Sequence, residues 1–237
     1  MSTTKKYIIG VIIILMVTAF VYLKISQMTD GSAVDNNFNE STGAVELGAD
    51  SYAVPKELAY VDGDWLIGNL EAGLKIFIYE DYASSFSADL AKTLSRLQTD
   101  FASRVAVIVR PYLGNSEKAA ENTRLMICAS DQGKWLKMRE LLFLLISGEA
   151  LNNSENNNLE KIGLDEVKLT DCLTNLKKSG KMEQLSQLTQ AQGVQGAPTI
   201  FVGSEMIIGA RPYEDFFDSN GDKIEGLKTV VEKALQP

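Results

Sequence analysis

Apolar runs and amphipathic stretches alternate along the chain beyond about residue 60. The runs "LKIFIY" (74–79) and "VAVIVR" (105–110) predict two buried strands, because short, continuous apolar runs are typical of strands covered on both faces. Between them, apolar side chains recur at helical spacing and predict a helix over 86–101. A strand, a helix and a strand in this order predict a parallel pair with a right-handed crossover.

Helical spacing dominates the middle of this region. It predicts one long helical stretch across 116–147 and, after a polar loop, two more helices, the first of which is capped by Asp165. The segment "GAPTIFVGSEMIIGA" (196–210) then predicts two strands that turn at a Gly-Ser pair, and a final helix comes after them. The predicted fold class is therefore α/β: a mixed sheet in the order β-α-β, a helical insertion over about 115–192, and then β-β-α.

The first 24 residues differ from the rest of the chain. Lys5 and Lys6 precede an uncharged, mostly apolar stretch, 7–23, which as a helix would extend about 26 Å. This stretch favours an uncleaved transmembrane helix, with a cleaved signal peptide as the alternative. Because only Lys24 lies just beyond the span, the positive-inside bias predicts that residues 1–6 are cytoplasmic and the remainder extracytoplasmic.

Residues 24–59 are rich in Ser, Thr, Asn, Asp and Gly and show no hydrophobic periodicity. This composition predicts a flexible linker that holds a folded domain, residues 60–237, away from the membrane. The predicted localisation is the cell membrane, as a single-pass protein with its domain outside. Such a compartment is oxidising, so two cysteines there tend to pair.

Composition excludes several function classes. The net charge of −8 over 237 residues, without a basic patch, argues against nucleic acid as a partner. The chain has no histidine, which excludes Ser-His and Cys-His catalysis and histidine metal sites. In "DSNGDKIEG", Lys223 stands where a calcium loop needs glycine, so the segment predicts a turn. No metal and no cofactor are predicted, and the oligomeric state is left open.

One segment joins a strand, an elbow and a helix. "KIFIYEDYASSFSADL" (75–90) resembles the first strand, elbow and helix of the DsbA-like thioredoxin family, where Asp-Tyr or Asp-Phe and one further residue precede Cys-Pro-x-Cys. The Asp-Tyr pair matches. Ser84 and Ser87 stand at the positions of the two cysteines, Ser85 stands at the proline, and Phe86 stands where the family has an aromatic residue.

Two further segments match the same family in the same order. Residues 128–143, "CASDQGKWLKMRELLF", are similar to its C-A-x-x-Q-G-K-F-W helix, and residues 193–216 resemble its G-V-x-G-T-P-T strand and its G-A-x-P-Y segment. By this resemblance, Pro198 is a cis-proline beside the elbow. Ala197 precedes it where the family usually has Thr or Val. The resemblance covers about 62–235 and implies a thioredoxin fold with a helical insertion.

The serines change the chemistry that the resemblance implies. In the family, the first cysteine lies at a helix N-terminus that lowers its pKa, so it attacks disulfides as a thiolate. A serine hydroxyl keeps its proton and forms no disulfide, so Ser84 and Ser87 are interpreted as a naturally degenerate site without catalytic residues. Ser84 or Ser85 is expected to cap the adjoining helix instead.

A binding role is still expected for the same surface. In the family, an extended client chain lies beside the cis-proline, and main-chain pairing at a strand edge gives affinity without any cysteine. The predicted peptide-binding residues are Ser84, Ser85, Phe86, Ala197 and Pro198. The predicted partners are unfolded or extended polypeptides or a neighbouring envelope protein, together with the membrane through the N-terminal helix.

Cys128 and Cys172 lie on different predicted helices of the insertion and form no C-x-x-C motif. Three interpretations are open: two buried free thiols, an interhelical disulfide such as relatives carry in this insertion, or a redox-active pair outside the usual site. An oxidising location favours the disulfide. The third interpretation gives the alternative function, a thiol-disulfide oxidoreductase of the DsbA family that uses Cys128 and Cys172.

Overall fold

The structure, a computed structural model, describes residues 58–236 except 62, 115, 149–158 and 160. The predicted cytoplasmic tail, the predicted membrane helix and nearly all of the predicted linker lie outside the described residues. Within the described part of the chain, no helix has the length and hydropathy that a membrane crossing requires.

A five-stranded mixed sheet forms the centre of the domain, with the strands in the order β1-β3-β2-β4-β5. Strands β2 and β3 are parallel, and every other neighbouring pair is antiparallel. The strands are β1 (Trp65–Ile67), β2 (Leu74–Glu80), β3 (Val105–Pro111), β4 (Thr199–Val202) and β5 (Glu205–Ile208).

One helix connects the two parallel strands, and four helices whose bounds lie within the described residues belong to the insertion between β3 and β4. A two-stranded hairpin and a last helix complete the described chain. In order they are α1 (Ser85–Phe101), α2 (Glu117–Ser130), α3 (Trp135–Ile146), α4 (Glu166–Leu176), α5 (Lys181–Ala191), β6 (Phe216–Phe217), β7 (Lys223–Ile224) and α6 (Leu227–Ala234). The predicted mixed α/β architecture with a helical insertion is therefore present.

The helical stretch predicted over 116–147 is two helices, not one. Helix α2 ends at Ser130, and the next turn places Gly133 at a φ of 67°, in the left-handed region that glycine adopts readily. The amide of Lys134 donates to the carbonyl of Ala129, 2.7 Å away, and closes this turn. Helical spacing continues across the break, which explains why periodicity alone did not reveal it.

Alternating residues of β2 divide between the two faces of the sheet. Ile76 and Ile78 belong to the larger apolar cluster, which includes the buried face of α1. Phe77 and Tyr79 belong to a second cluster on the opposite face. Because both faces are covered, residues 76–79 of the strand are all apolar or aromatic and buried, as the sequence predicted.

Strand β1 was not predicted, because it is only three residues long. It pairs antiparallel with β3 and brings Trp65 against the insertion. The indole ring of Trp65 stacks on that of Trp135 at a centroid distance of 5.9 Å, and its Nε1 donates to Ser130 Oγ at 3.0 Å. The edge of the sheet and the insertion therefore share an aromatic contact.

A buried ion pair joins the end of β2 to the middle of α3. Glu80 is fully buried and Arg139 is 5% exposed. Arg139 donates through Nε to Oε2 of Glu80 at 2.8 Å and through Nη2 to Oε1 at 2.5 Å. Burial alone would lower the pKa of the Arg139 guanidinium. The facing Glu80 carboxylate has the larger, opposite effect, so the pKa is raised. The pair thus fixes the strand end to the insertion.

Arg139→Met should destabilise the full chain by about 3–5 kcal/mol, because Glu80 would stay buried without its partner. Lys168→Met is the control, since Lys168 forms an exposed pair with Asp165 at 3.8 Å. That change should alter the free energy of unfolding by less than about 1 kcal/mol. Urea unfolding measures both variants, and equal effects would contradict the assignment of the buried pair as a constraint.

Candidate functional site

The elbow is the turn between the end of β2 and the start of α1. The Asp81 carboxylate accepts the amide hydrogen of Ala83 at 2.7 Å, and the amide of Ser84 donates to the carbonyl of Asp81 at 3.1 Å. Aspartate favours such turns because its side chain bonds to its own backbone two residues further on. Asp81 therefore shapes the elbow directly before the helix begins.

The predicted side-chain cap at the elbow is absent. Ser84 occupies the N-cap position with extended backbone angles, but its hydroxyl accepts no hydrogen bond from the first turn of α1. Ser85 is the first helical residue and is exposed. The Asp81 carboxylate already orders the elbow through Ala83, so the turn forms without a serine cap.

Ser87 has a structural environment that differs from that of Ser84. It is fully buried, and its Oγ accepts the amide hydrogen of Asp81 at 3.2 Å. This bond ties the first turn of α1 to the end of the strand. Of the two serines at the predicted cysteine positions, only Ser84 is therefore partly accessible.

Neither elbow hydroxyl is activated as a nucleophile. Among the described residues, no side chain accepts a hydrogen bond from Ser84 or Ser85, and the chain has no histidine to act as a base. The nearby carboxyl is Asp81, whose pKa is raised by burial, partly offset by the hydrogen bond from Ala83. A carboxylate remains far too weak a base to deprotonate serine.

The loop before β4 lies beside the elbow. Thr199 pairs with Tyr79 across β4 and β2, so Pro198 lies next to the end of β2. The Ala197–Pro198 peptide bond is cis. Pro198 is buried, and its carbonyl accepts the amide hydrogen of Gly209 at 2.8 Å. The structure thus brings the loop and the elbow together as the resemblance implied.

Two open features mark this surface. Phe86, in the first turn of α1, is 64% exposed. The amide and the carbonyl of Ala197 have no hydrogen-bond partner within the described residues. The open peptide group can pair with one residue of an extended chain, and the exposed ring can contact an apolar side chain of such a chain.

The structure joins Cys128 of α2 to Cys172 of α4 in a disulfide, with the two Cα atoms 5.7 Å apart. Cys128 is fully buried and Cys172 is partly exposed. The Oδ2 atom of Asp131 lies 3.5 Å from Sγ of Cys172. A carboxylate in this position repels an incoming thiolate and disfavours a thiolate leaving group, so the bond is protected by burial on one side and by charge on the other.

Several residues that shape the elbow escaped the sequence-based predictions. Asn122 of α2 donates through Nδ2 to the carbonyl of Tyr82 at 2.5 Å and so holds the elbow from the side of the insertion. The pairing of Glu80 with Arg139 was also missed. The signal that could have indicated a buried pair is an acidic residue at the end of the mostly apolar β2 and a basic residue in the middle of the mostly apolar α3.

No group of three or more metal-ligating side chains is found within the part of the chain that the structure describes. The arrangement at the elbow offers hydroxyls, a carboxyl and an open peptide group. These groups suit hydrogen bonding to a polypeptide and give no starting point for metal chemistry.

A mixed sheet, a strand-elbow-helix unit and a neighbouring cis-proline define a thioredoxin-like fold. The sequence profile of the family described as thioredoxin matches residues 61–218. The chain belongs to the thioredoxin family. This match confirms the resemblance inferred from the three sequence motifs. No curated protein sequence matches the chain.

Solved structures of thioredoxin-like proteins share the fold. The catalytic domain of Proteus mirabilis ScsC is 21% identical, with a TM-score of 0.54 over 73% of this chain and 89% of that one. Oxidised BdbD from Bacillus subtilis is 17% identical, with a TM-score of 0.58 over 77% and 97%. A thioredoxin-like oxidoreductase from Silicibacter pomeroyi DSS-3 is 21% identical, with a TM-score of 0.53 over 72% and 91%.

Asp131→Asn should accelerate reduction of the disulfide by dithiothreitol under native conditions by about two- to tenfold, because one repelling charge is removed. Timed alkylation of the full chain followed by mass spectrometry measures the rate. Asp171→Asn is the control, since Asp171 is exposed and adjacent to Cys172 in sequence. Unchanged reduction in the first variant, or equal acceleration in the control, would contradict a protective role for Asp131.

Proposed function

We propose that this protein is a membrane-anchored, extracytoplasmic, DsbA-like member of the thioredoxin family that binds extended polypeptides and has no dithiol chemistry. Its clients are unfolded chains or an extended segment of an envelope partner. The observation that carries the proposal is the open peptide group of Ala197 in the loop beside the elbow, together with the exposed ring of Phe86 in the first turn of α1. An open peptide group in a loop of this kind can pair with the backbone of an extended chain whatever its side chains.

The lack of redox activity follows from the atoms at the elbow. Disulfide exchange requires a thiolate that attacks sulfur and a second thiol that resolves the mixed disulfide. Ser84 and Ser87 supply oxygen at both places, and neither can form or release a disulfide. The alternative, an oxidoreductase that uses Cys128 and Cys172, is disfavoured because the first cysteine is buried and the second faces the Asp131 carboxylate.

The membrane location rests on the sequence. The apolar stretch 7–23 has the length of a short span, and Lys5 and Lys6 on its N-terminal side favour a cytoplasmic N-terminus. A disulfide in the insertion suits an oxidising compartment. An anchored domain of this kind would meet polypeptides as they emerge from the membrane.

Ser84→Cys combined with Ser87→Cys should create dithiol exchange that the unchanged protein lacks. The thiol introduced at position 84 would stand at the N-terminus of α1, where free amides and the helix dipole lower a thiol pKa. We expect insulin reduction at least about tenfold above the unchanged chain. The control is Cys128→Ser with Cys172→Ser: exchange that is measurable in the unchanged chain and lost in this variant would instead support the alternative function.

Phe86→Ser should weaken binding of a fluorescent, carboxymethylated unfolded polypeptide by about fivefold or more, because an exposed aromatic anchor is lost. Fluorescence anisotropy with the full chain in nanodiscs measures the affinity. Phe217→Ser is the matched control, since Phe217 is 70% exposed on β6, away from the elbow. If both variants bind as the unchanged chain does, the binding surface lies elsewhere.

A further inference from the structure

Asp81 has one carboxylate oxygen that the elbow leaves unused. Its Oδ1 accepts the amide hydrogen of Ala83 at 2.7 Å, but its Oδ2 accepts a hydrogen bond from no described residue and is open to solvent. Asp81 also forms no ion pair with any described residue. Burial raises the pKa of this carboxyl, and no described cation lowers it. A carboxylate that has lost part of its water without gaining a cation can pair with a charge that a ligand supplies.

Strand pairing places this carboxylate opposite the open peptide group of Ala197. Tyr79 pairs with Thr199 in the antiparallel ladder of β2 and β4. Continuing this register by two residues sets Asp81 across from Ala197, on the face of the sheet that Tyr79 shares, because side chains alternate along a strand. The ladder itself ends at Thr199, so the backbone of Ala197 stays open. Asp81 is therefore beside the position at which an extended client would pair.

The loop that follows β3 lies against the same carboxylate. A Cβ atom added at Gly114 would be 3.9 Å from Oδ2 of Asp81 and 3.2 Å from the ring of Tyr112. The Tyr112 hydroxyl in turn donates to the carbonyl of Gln195, 2.8 Å away, in the loop that carries Ala197. The elbow carboxylate, the loop after β3 and the loop before β4 therefore meet at one place. Because Gly114 has no side chain, the loop adds no group that would cover Oδ2.

Cationic side chains on the neighbouring elements are engaged elsewhere. Arg110 of β3 and Arg139 of α3 are held in ion pairs with other carboxylates, and Lys118 is paired within its own helix. Arg211, in the loop after β5, donates to a backbone carbonyl just beyond β7 at 3.1 Å. Position 115, which lies outside the described residues, is an asparagine and adds no charge to the loop after β3. The partner that this carboxylate lacks would have to come with the client.

We propose that Asp81 makes the elbow select extended polypeptides that carry a basic side chain, lysine or arginine. The client backbone pairs with the peptide group of Ala197, and the client's ammonium or guanidinium group binds Oδ2 of Asp81. Backbone pairing supplies affinity that is independent of sequence, and the carboxylate adds selectivity. This inference rests on the proposed function, because it requires a client at the elbow. It specifies the charge of that client, which the open peptide group and the ring of Phe86 leave undefined.

Peptides of alternating sequence test the preference, because their binding register is immaterial. Fluorescent Ser-Lys, Ser-Gln and Ser-Glu repeats of equal length are titrated against the full chain in phosphatidylcholine nanodiscs, and fluorescence anisotropy gives the affinities. We expect the Ser-Lys repeat to bind most tightly and the Ser-Glu repeat most weakly. Equal affinity for the Ser-Lys and Ser-Gln repeats would overturn the proposal. The net charge of −8 attracts any cationic peptide, so variants of single carboxylates isolate the contribution of Asp81.

Asp81→Asn removes the charge but keeps an oxygen that can accept the Ala83 amide hydrogen. The ratio of the Ser-Lys affinity to the Ser-Gln affinity should fall about threefold or more, because one ion pair is lost. Asp81→Ser also keeps an acceptor for that amide and should lower the ratio in the same way. Asp89→Asn is the control, since Asp89 is exposed on α1, 3.7 Å from Lys92, and carries the same charge. An unchanged ratio in both Asp81 variants, or an equal fall in the control, would overturn the proposal.

Carbodiimide coupling locates the bound lysine directly. The reagent joins a carboxylate to an amine in contact with it, and mass spectrometry then identifies which carboxylate carries the Ser-Lys peptide. We expect coupling at Asp81, reduced by excess Ser-Gln peptide and by Phe86→Ser. Coupling confined to other carboxylates would refute the assignment.

The Ser-Gln repeat separates this inference from the function on which it rests. If that peptide binds and is displaced by unfolded polypeptide, but no preference for lysine depends on Asp81, the selectivity is refuted and the proposed function stands. If none of the three repeats and no unfolded polypeptide binds, the proposed function fails, and the selectivity fails with it.

Discussion

A carboxylate and a guanidinium, both excluded from water, hold the candidate site in place. Glu80 is the last residue of β2, and its bidentate pairing with Arg139 fixes the strand end against α3. Separating the two would leave a buried charge without compensation, so the elbow cannot shift relative to the insertion without a large loss of stability. Asn122 adds a bond to the carbonyl of Tyr82, and Ser87 adds one to the amide of Asp81. The scaffold of the elbow therefore stands without any cysteine.

This scaffold is compatible with the proposed function, in which a binding surface persists without redox chemistry. The helix N-terminus, the cis peptide bond before Pro198 and the open peptide group of Ala197 depend on strand pairing and on the buried pair. The reaction depends on sulfur, which Ser84 and Ser87 lack. Recognition of an extended chain uses backbone groups and an exposed ring, so the two properties are separable. The disulfide within the insertion contributes a cross-link between α2 and α4.

The sequence predicted the central elements because their signals are local. The bounds predicted for the central strands and for α1 differ from those in the structure by a residue at most, since β2 and β3 are covered on both faces and α1 has a single apolar stripe. Strand β1 and the β6–β7 hairpin are too short to produce a pattern, and they form by pairing. The contact of Glu80 with Arg139 joins residues 59 positions apart, which periodicity does not report. The serine cap predicted at the start of α1 is absent, and the hydrogen bond from the Ala83 amide to Asp81 orders the elbow instead.

The most direct test of the account is a redox titration of the full chain, with its thiols counted by alkylation and mass spectrometry. The account predicts no thiol gained or lost between about −120 and −270 mV, the range in which catalytic disulfides of oxidoreductases titrate. The serines at the elbow carry no sulfur, and the disulfide of Cys128 and Cys172 is shielded by burial and by Asp131. A reversible two-electron step in that range, abolished by Cys128→Ser, would contradict the account.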